Sequence, residues 1–142
     1  MKKKAINIIC IIALALVSFS CHFVDANNMP ATTTIYKNVR YVANMISSST
    51  WGNPVISYTD VNGGTLQIQQ MNLDVTLQLS VGLTATLTAS CDGIYSPAYT
   101  RASAAANLKI YVNDSLKAQA NDFKTDSTTS VTASANCSYT VK

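Results

Sequence analysis

Glutamate is absent from the 142 residues, histidine and tryptophan occur once each, proline three times and glycine five times. The one histidine, His22, lies in an N-terminal stretch that reads as a removable export signal. Without it, nucleophilic catalysis of the Ser–His–Asp or Cys–His kind has no base. Zinc and copper sites lose their commonest nitrogen ligand. Without glutamate, any carboxylate pair must be Asp–Asp, and most of the aspartates sit in turn contexts, their ordinary role. Asp60-Val61-Asn62-Gly63 is similar to the opening of a calcium loop but lacks the later acidic ligands. No phosphate loop or dinucleotide fingerprint is present. The sequence therefore predicts no enzyme, no metal and no cofactor.

Net charge excludes a second group of functions. The headline value of +3 owes most to Lys2, Lys3 and Lys4. Beyond Ala26 there are seven Lys plus Arg against six Asp, a surplus of one. That balance makes no electrostatic case for nucleic acid or for an anionic membrane surface.

The three lysines form the positive n-region of an export signal. Ile6 to Val17 is its apolar core, too short for a comfortable membrane span. Cleavage is expected after Ala26, so residues 1–26 are the signal. The rival reading makes Cys21 a lipidated anchor. It is disfavoured because Phe19 is bulky and no leucine stands three residues ahead of the cysteine. The expected location is secreted, extracellular or periplasmic. The remaining 116 residues suit one domain.

What is abundant is alternation. From Met71 to Cys91 every odd position is apolar and every even position is polar or glycine. A period of two means strands with one buried and one wet face. As one straight strand the run would be roughly 70 Å long, far beyond a domain of this size. Gly82 is the place for a break. Because the parity does not reverse there, two readings remain. One is a three-residue hairpin loop pairing Leu79 with Leu83; the other is a strand that bends into a second sheet. The hairpin is the preferred expectation.

Further strands are expected at Val55–Val61 and Thr65–Gln69, joined by the Asn62-Gly63-Gly64 turn. The apolar phase slips by one at Gln69-Gln70, which demands a bulge or turn. Asn107–Val112 and the stretch around Leu116, Ala118 and Ala120 form another pair across Asn113-Asp114. Val131 to Val141 closes the series. The stretch from Ile94 to Ala106, including the alanine run Ala102–Ala106, is expected to be a connection, and 121–129 a polar loop around Phe123. Residues 27–50 form a less defined N-terminal segment holding at most one strand, and 51–142 form the main domain. Seven to nine short strands without a helix predict an all-β, single antiparallel β-sandwich, immunoglobulin-like or similar.

Cys91 and Cys137 fall on the apolar parity of their strands, and both thiols therefore face the core. In an oxidising compartment this even pair is expected to form one core disulfide. For recognition, Tyr95, Tyr99 and Arg101 stand out, because aromatics and arginine on a connecting loop are frequent binding anchors. The expected function is an exported, non-catalytic structural or binding module of the cell surface, adhesin- or pilin-like. Its partner would be a protein, a glycan or another copy of itself. The alternative is a β-pore-forming or toxin-like protein, since the two halves of the Met71–Cys91 run have barrel-strand length.

Overall fold

The computed structural model describes residues 33–48, 52–95 and 101–142. The expected signal 1–26, with Cys21 and His22, lies outside the described residues, as does Tyr99. Among the described residues there are eight strands and no helix. They are β1 (Tyr36–Ser47), β2 (Val55–Thr59), β3 (Thr65–Ile68), β4 (Asn72–Ser80), β5 (Thr84–Gly93), β6 (Ala102–Val112), β7 (Ser115–Asp126) and β8 (Val131–Thr140).

Two four-stranded sheets result, and every neighbouring pair is antiparallel. The first runs β4-β1-β6-β7 and the second β3-β2-β5-β8. Alternation decides which faces meet. Val39, Tyr41, Ala43 and Met45 of β1 are buried with Leu108 and Ile110 of β6. Opposite them lie Ile56 of β2, Ala85, Leu87 and Ala89 of β5, and Ala133 and Ala135 of β8. These side chains form one sandwich-like core shared by both sheets. Each fully buried Leu or Ile contributes about 1.5–3 kcal/mol.

Local chemistry sets the turns. Gly63, at φ +82°, ends the β2–β3 hairpin, and Asp60 Oδ1 accepts the amide hydrogens of Asn62 and Gly64 at 2.8 and 2.7 Å. Asn113 and Asp114 both have positive φ, 48° and 63°, as a tight two-residue hairpin turn requires. The phase slip at Gln69-Gln70 marks where the chain leaves the second sheet at β3 and enters the first at β4.

The structure corrects the expectation of a hairpin at Gly82. β4 and β5 belong to different sheets, so the run bends and crosses between them. Parity is kept because both halves turn their odd residues to the same core; Leu79 and Ala85 are both fully buried. The corner is tied on three sides. The Val81 amide donates to the Ile35 carbonyl, Leu83 to Ser80 and Gly82 to Val141, at 2.8, 3.2 and 2.9 Å. Gly82 takes φ +96°, open to glycine at little cost.

Two expected loops are strands. Ala102–Ala106 opens β6, with Ala102, Ala104 and Ala106 buried. Small residues are needed where β5 and β6 approach: a Cβ on Gly93 would collide with the Ser103 backbone. Phe123 and its polar neighbours continue β7 as far as Asp126, an edge strand wet on much of both faces. Within residues 27–50, β1 is not peripheral; it pairs with β4 on one side and β6 on the other.

The expected core disulfide is also corrected. Cys91 and Cys137 are buried and free. Both face the core from neighbouring strands, but Cys91 pairs with Ala133 while Cys137 pairs with Leu87. The offset is four positions, roughly 13 Å along the strand. A bridge needs Cα atoms within about 7 Å. Cys91 Sγ instead points across to the first sheet, 3.4 Å from the Ala105 carbonyl and 3.6 Å from that of Ile46. Burial pushes both thiols above their ordinary pKa.

Candidate binding surface

The outward faces of the two sheets differ in kind. On the second sheet, Thr84, Thr86, Thr88 and Ser90 of β5 stand beside Thr140, Ser138, Asn136 and Ser134 of β8. This is a hydroxyl-rich surface of short side chains, with one shallow pocket of about 170 Å³ near Ser57, Thr65 and Thr88.

The first sheet's outward face mixes amides with exposed apolar groups. Its register places Asn72, Asn44, Asn107 and Asn121 directly opposite one another across β4, β1, β6 and β7. All four are exposed. With strands about 4.8 Å apart, the row spans roughly 14 Å. Each side-chain amide offers a donor and an acceptor to solvent.

On one side of this row lie Ile46, Ala105 and Phe123, again cross-strand partners. Ile46 is 64% exposed and Phe123 66%, the two most exposed large apolar side chains among the described residues. Ala105 between them leaves a depression. A shallow pocket of about 380 Å³ is lined there by Val42, Asn44, Ile46, Ala105, Asn107 and Lys109. That volume is in the range of small-molecule sites.

On the other side, charge is largely paired. Arg40 Nε and Nη2 donate to the two carboxylate oxygens of Asp74 at 2.7 and 2.6 Å. This bidentate contact raises the Arg40 pKa and holds Asp74 below the usual carboxylate range. The Arg40 guanidinium also lies 5.9 Å from the Tyr111 ring centroid. The face thus presents amides and apolar patches with little free charge beyond Lys109.

Of the residues expected from the sequence, Tyr95 and Arg101 flank the connection from β5 of the second sheet to β6 of the first. Tyr95 follows β5, is 37% exposed and donates its amide hydrogen to Ser130 Oγ at 3.1 Å. Arg101 is exposed immediately before β6, four residues from Ala105. With Tyr99 outside the described residues, the structure does not gather the three into one site. The asparagine row escaped sequence reading because its members are joined only by three strand registers. No spacing in the chain signals it. Phe123 stands out in the sequence, but its polar neighbours suggest a loop where the structure has β7.

Among the described residues, no group of three His, Cys, Asp or Glu side chains comes together as a metal site. The arrangement suits non-covalent recognition. Four amides can exchange hydrogen bonds with hydroxyl or amide groups, while Ile46 and Phe123 cover apolar faces of the same ligand. No protein-family model matches the chain, and no curated protein matches it either.

Proposed function

We propose that this protein is an exported, non-catalytic binding module of the cell surface or extracellular space, carried on an immunoglobulin-like or similar β-sandwich. Its ligand is a neutral glycan laid across the strands of the first sheet. The observation that carries this reading is the row Asn72, Asn44, Asn107 and Asn121 flanked by exposed Ile46 and Phe123. Sugars present hydroxyls at their edges and C–H groups on their faces, and this surface offers partners for both. The paired Arg40 and Asp74 leave little field for an anionic ligand. Export is supported by the lysine-rich start and the short apolar segment that follows it.

The pore-forming alternative draws less support. The apolar parity of the Met71–Cys91 run faces the core, with Leu79, Ala85, Leu87, Ala89 and Cys91 all buried between the sheets. A membrane stem would have to extract them.

Binding to immobilised neutral cello-, xylo-, manno- and chito-oligosaccharides tests the proposal. At least one class should bind, and the double substitution Asn44→Ala, Asn107→Ala should weaken it at least about tenfold, a loss of about 1.4 kcal/mol. Phe123→Ala should weaken it as well, with both variants melting as the parent does. Binding that survives all three substitutions, or none to any sugar, overturns the reading.

A further inference from the structure

Every sheet edge is a row of unpaired backbone N–H and C=O groups, and natural proteins block such rows. Three of the four edges here are blocked. β3 has only four residues. β7 carries Lys117 and Lys124, and its pairing with β6 shifts register at Ile110/Tyr111. On β8 the outward amide of Ser134 is taken by Asp122 Oδ2 at 2.9 Å.

β4 has none of these devices. Its nine residues include no Lys, Arg, Pro or Gly, and its one charge, Asp74, is held by Arg40. The register identifies which of its groups are free. Val81 donates to Ile35 and Met71 accepts from Met45, which continues the β1–β4 register by one position at each end. In an antiparallel pair, bonded and non-bonded positions alternate. The odd residues of β4 therefore bond to β1. Asn72, Asp74, Thr76 and Gln78 direct their N–H and C=O groups away from the sheet, and Ser80 its N–H, while the Ser80 carbonyl accepts from Leu83 at the corner. Inside this edge, Leu73, Val75 and Leu77 are only partly covered by the second sheet.

We infer that β4 pairs with β4 of a second copy, antiparallel about a twofold axis through Thr76, joining two first sheets into one of eight strands. The sequence is self-complementary about that point. Leu73 meets Leu79, Val75 meets Leu77 and Asn72 meets Ser80 of the other copy, so apolar faces apolar throughout. Asp74 meets Gln78, whereas an axis through Asp74 itself would set like charges opposite. Of the registers that keep the inward parity, only this one pairs all nine residues. The outward N–H groups of each copy then meet the outward C=O groups of the other, and Leu73, Val75 and Leu77 gain cover.

Sedimentation velocity on the purified protein, over about a hundredfold range of concentration, reads the association. The parent should move from monomer toward dimer. Thr76→Pro removes one outward N–H and none that bonds to β1, so the variant should stay folded and monomeric. Thr76→Cys is the second test, because residues opposite each other on a twofold axis lie within disulfide reach. Mild oxidation should give a covalent dimer linked through position 76 by peptide mapping, and Gln78→Cys should give no link through position 78. A parent that is monomeric throughout, or a dimer that survives Thr76→Pro, overturns the inference. So does the absence of a link at position 76.

Discussion

Asp122 on β7 reaches from the edge of the first sheet to Ser134 on the edge of the second, accepting its amide hydrogen at 2.9 Å. Lys124 Nζ is 3.3 Å from the other carboxylate oxygen. The amide bond, more than the lysine, holds the Asp122 pKa below the ordinary carboxylate value. In the connection from β7 to β8, the Thr128 and Thr129 amides and the Thr128 hydroxyl pull Asp126 down to about 2.

Both groups make stability depend on acid. A depressed carboxylate pKa contributes fully above the unfolded value near 3.8 and is lost as pH falls through the folded value. The melting temperature should therefore fall between about pH 5 and pH 2. In Asp126→Asn the fall should be smaller, and in the double variant with Asp122→Asn smaller still. An equal fall in all three proteins, measured by circular dichroism, would contradict the assignment.

The hydroxyl of Tyr41 is buried with no hydrogen-bond partner among the described residues. Thr59 is beside it, but Thr59 Oγ1 already donates to the Thr84 carbonyl and accepts from the Thr86 amide. Burial pushes the phenol up to about 12. Stability linked to this group is fully present below the unfolded value of 10 and is lost as pH rises from there toward 12. Tyr41→Phe should leave stability at neutral pH unchanged or raise it by up to about 1 kcal/mol, because it removes an unpaired polar atom. It should also delete one late phenolate transition from the ultraviolet titration. A loss of 2 kcal/mol or more, on the scale of about 1–3 for a broken buried bond, would reveal a partner for the hydroxyl.

In the protein cleaved after Ala26, Cys91 and Cys137 should each take one alkylating group after unfolding without reductant, seen as two additions by intact mass. Reductant should not move the melting temperature. A linked Cys91–Cys137 peptide would require β8 to slide by four residues against β5.

Leu87 is fully buried, and Thr86 beside it faces outward. Leu87→Asp should cost more than about 4 kcal/mol and leave the chain unfolded, while Thr86→Asp should change stability by less than about 0.5 kcal/mol. The contrast also separates a core strand from a membrane stem. A folded Leu87→Asp protein that had lost only vesicle-permeabilising activity would revive the pore reading.

Alternation made the strands legible, because a wet face and a dry face impose a period of two whatever the neighbours are. It also set the inward parity of β4, β5 and β8 correctly. It did not distinguish a hairpin from a corner at Gly82, since both preserve parity when three residues intervene. Ala102–Ala106 escaped because alanine has weak strand preference; its reason for being there is the close passage of Gly93. The cysteines show the same limit. Parity says which face a residue is on, but its height along the strand comes from pairing with a distant segment. The asparagine row depends on three such pairings at once.

The placement of β1 has a consequence for how the molecule comes to exist. Among the described strands β1 is the first to leave the ribosome, yet both its partners come much later. Val39 meets Leu77 on one side and Val112, 73 positions on, on the other. Only β2–β3 and β6–β7 can zip locally. Closing such long loops before any reward arrives makes folding slow, on the scale of milliseconds to seconds. Until β4 has emerged, β1 has no strand to pair with and its apolar side is uncovered, so the chain can be threaded through a narrow pore or held by a chaperone. The same connectivity that delays the fold keeps the chain transportable.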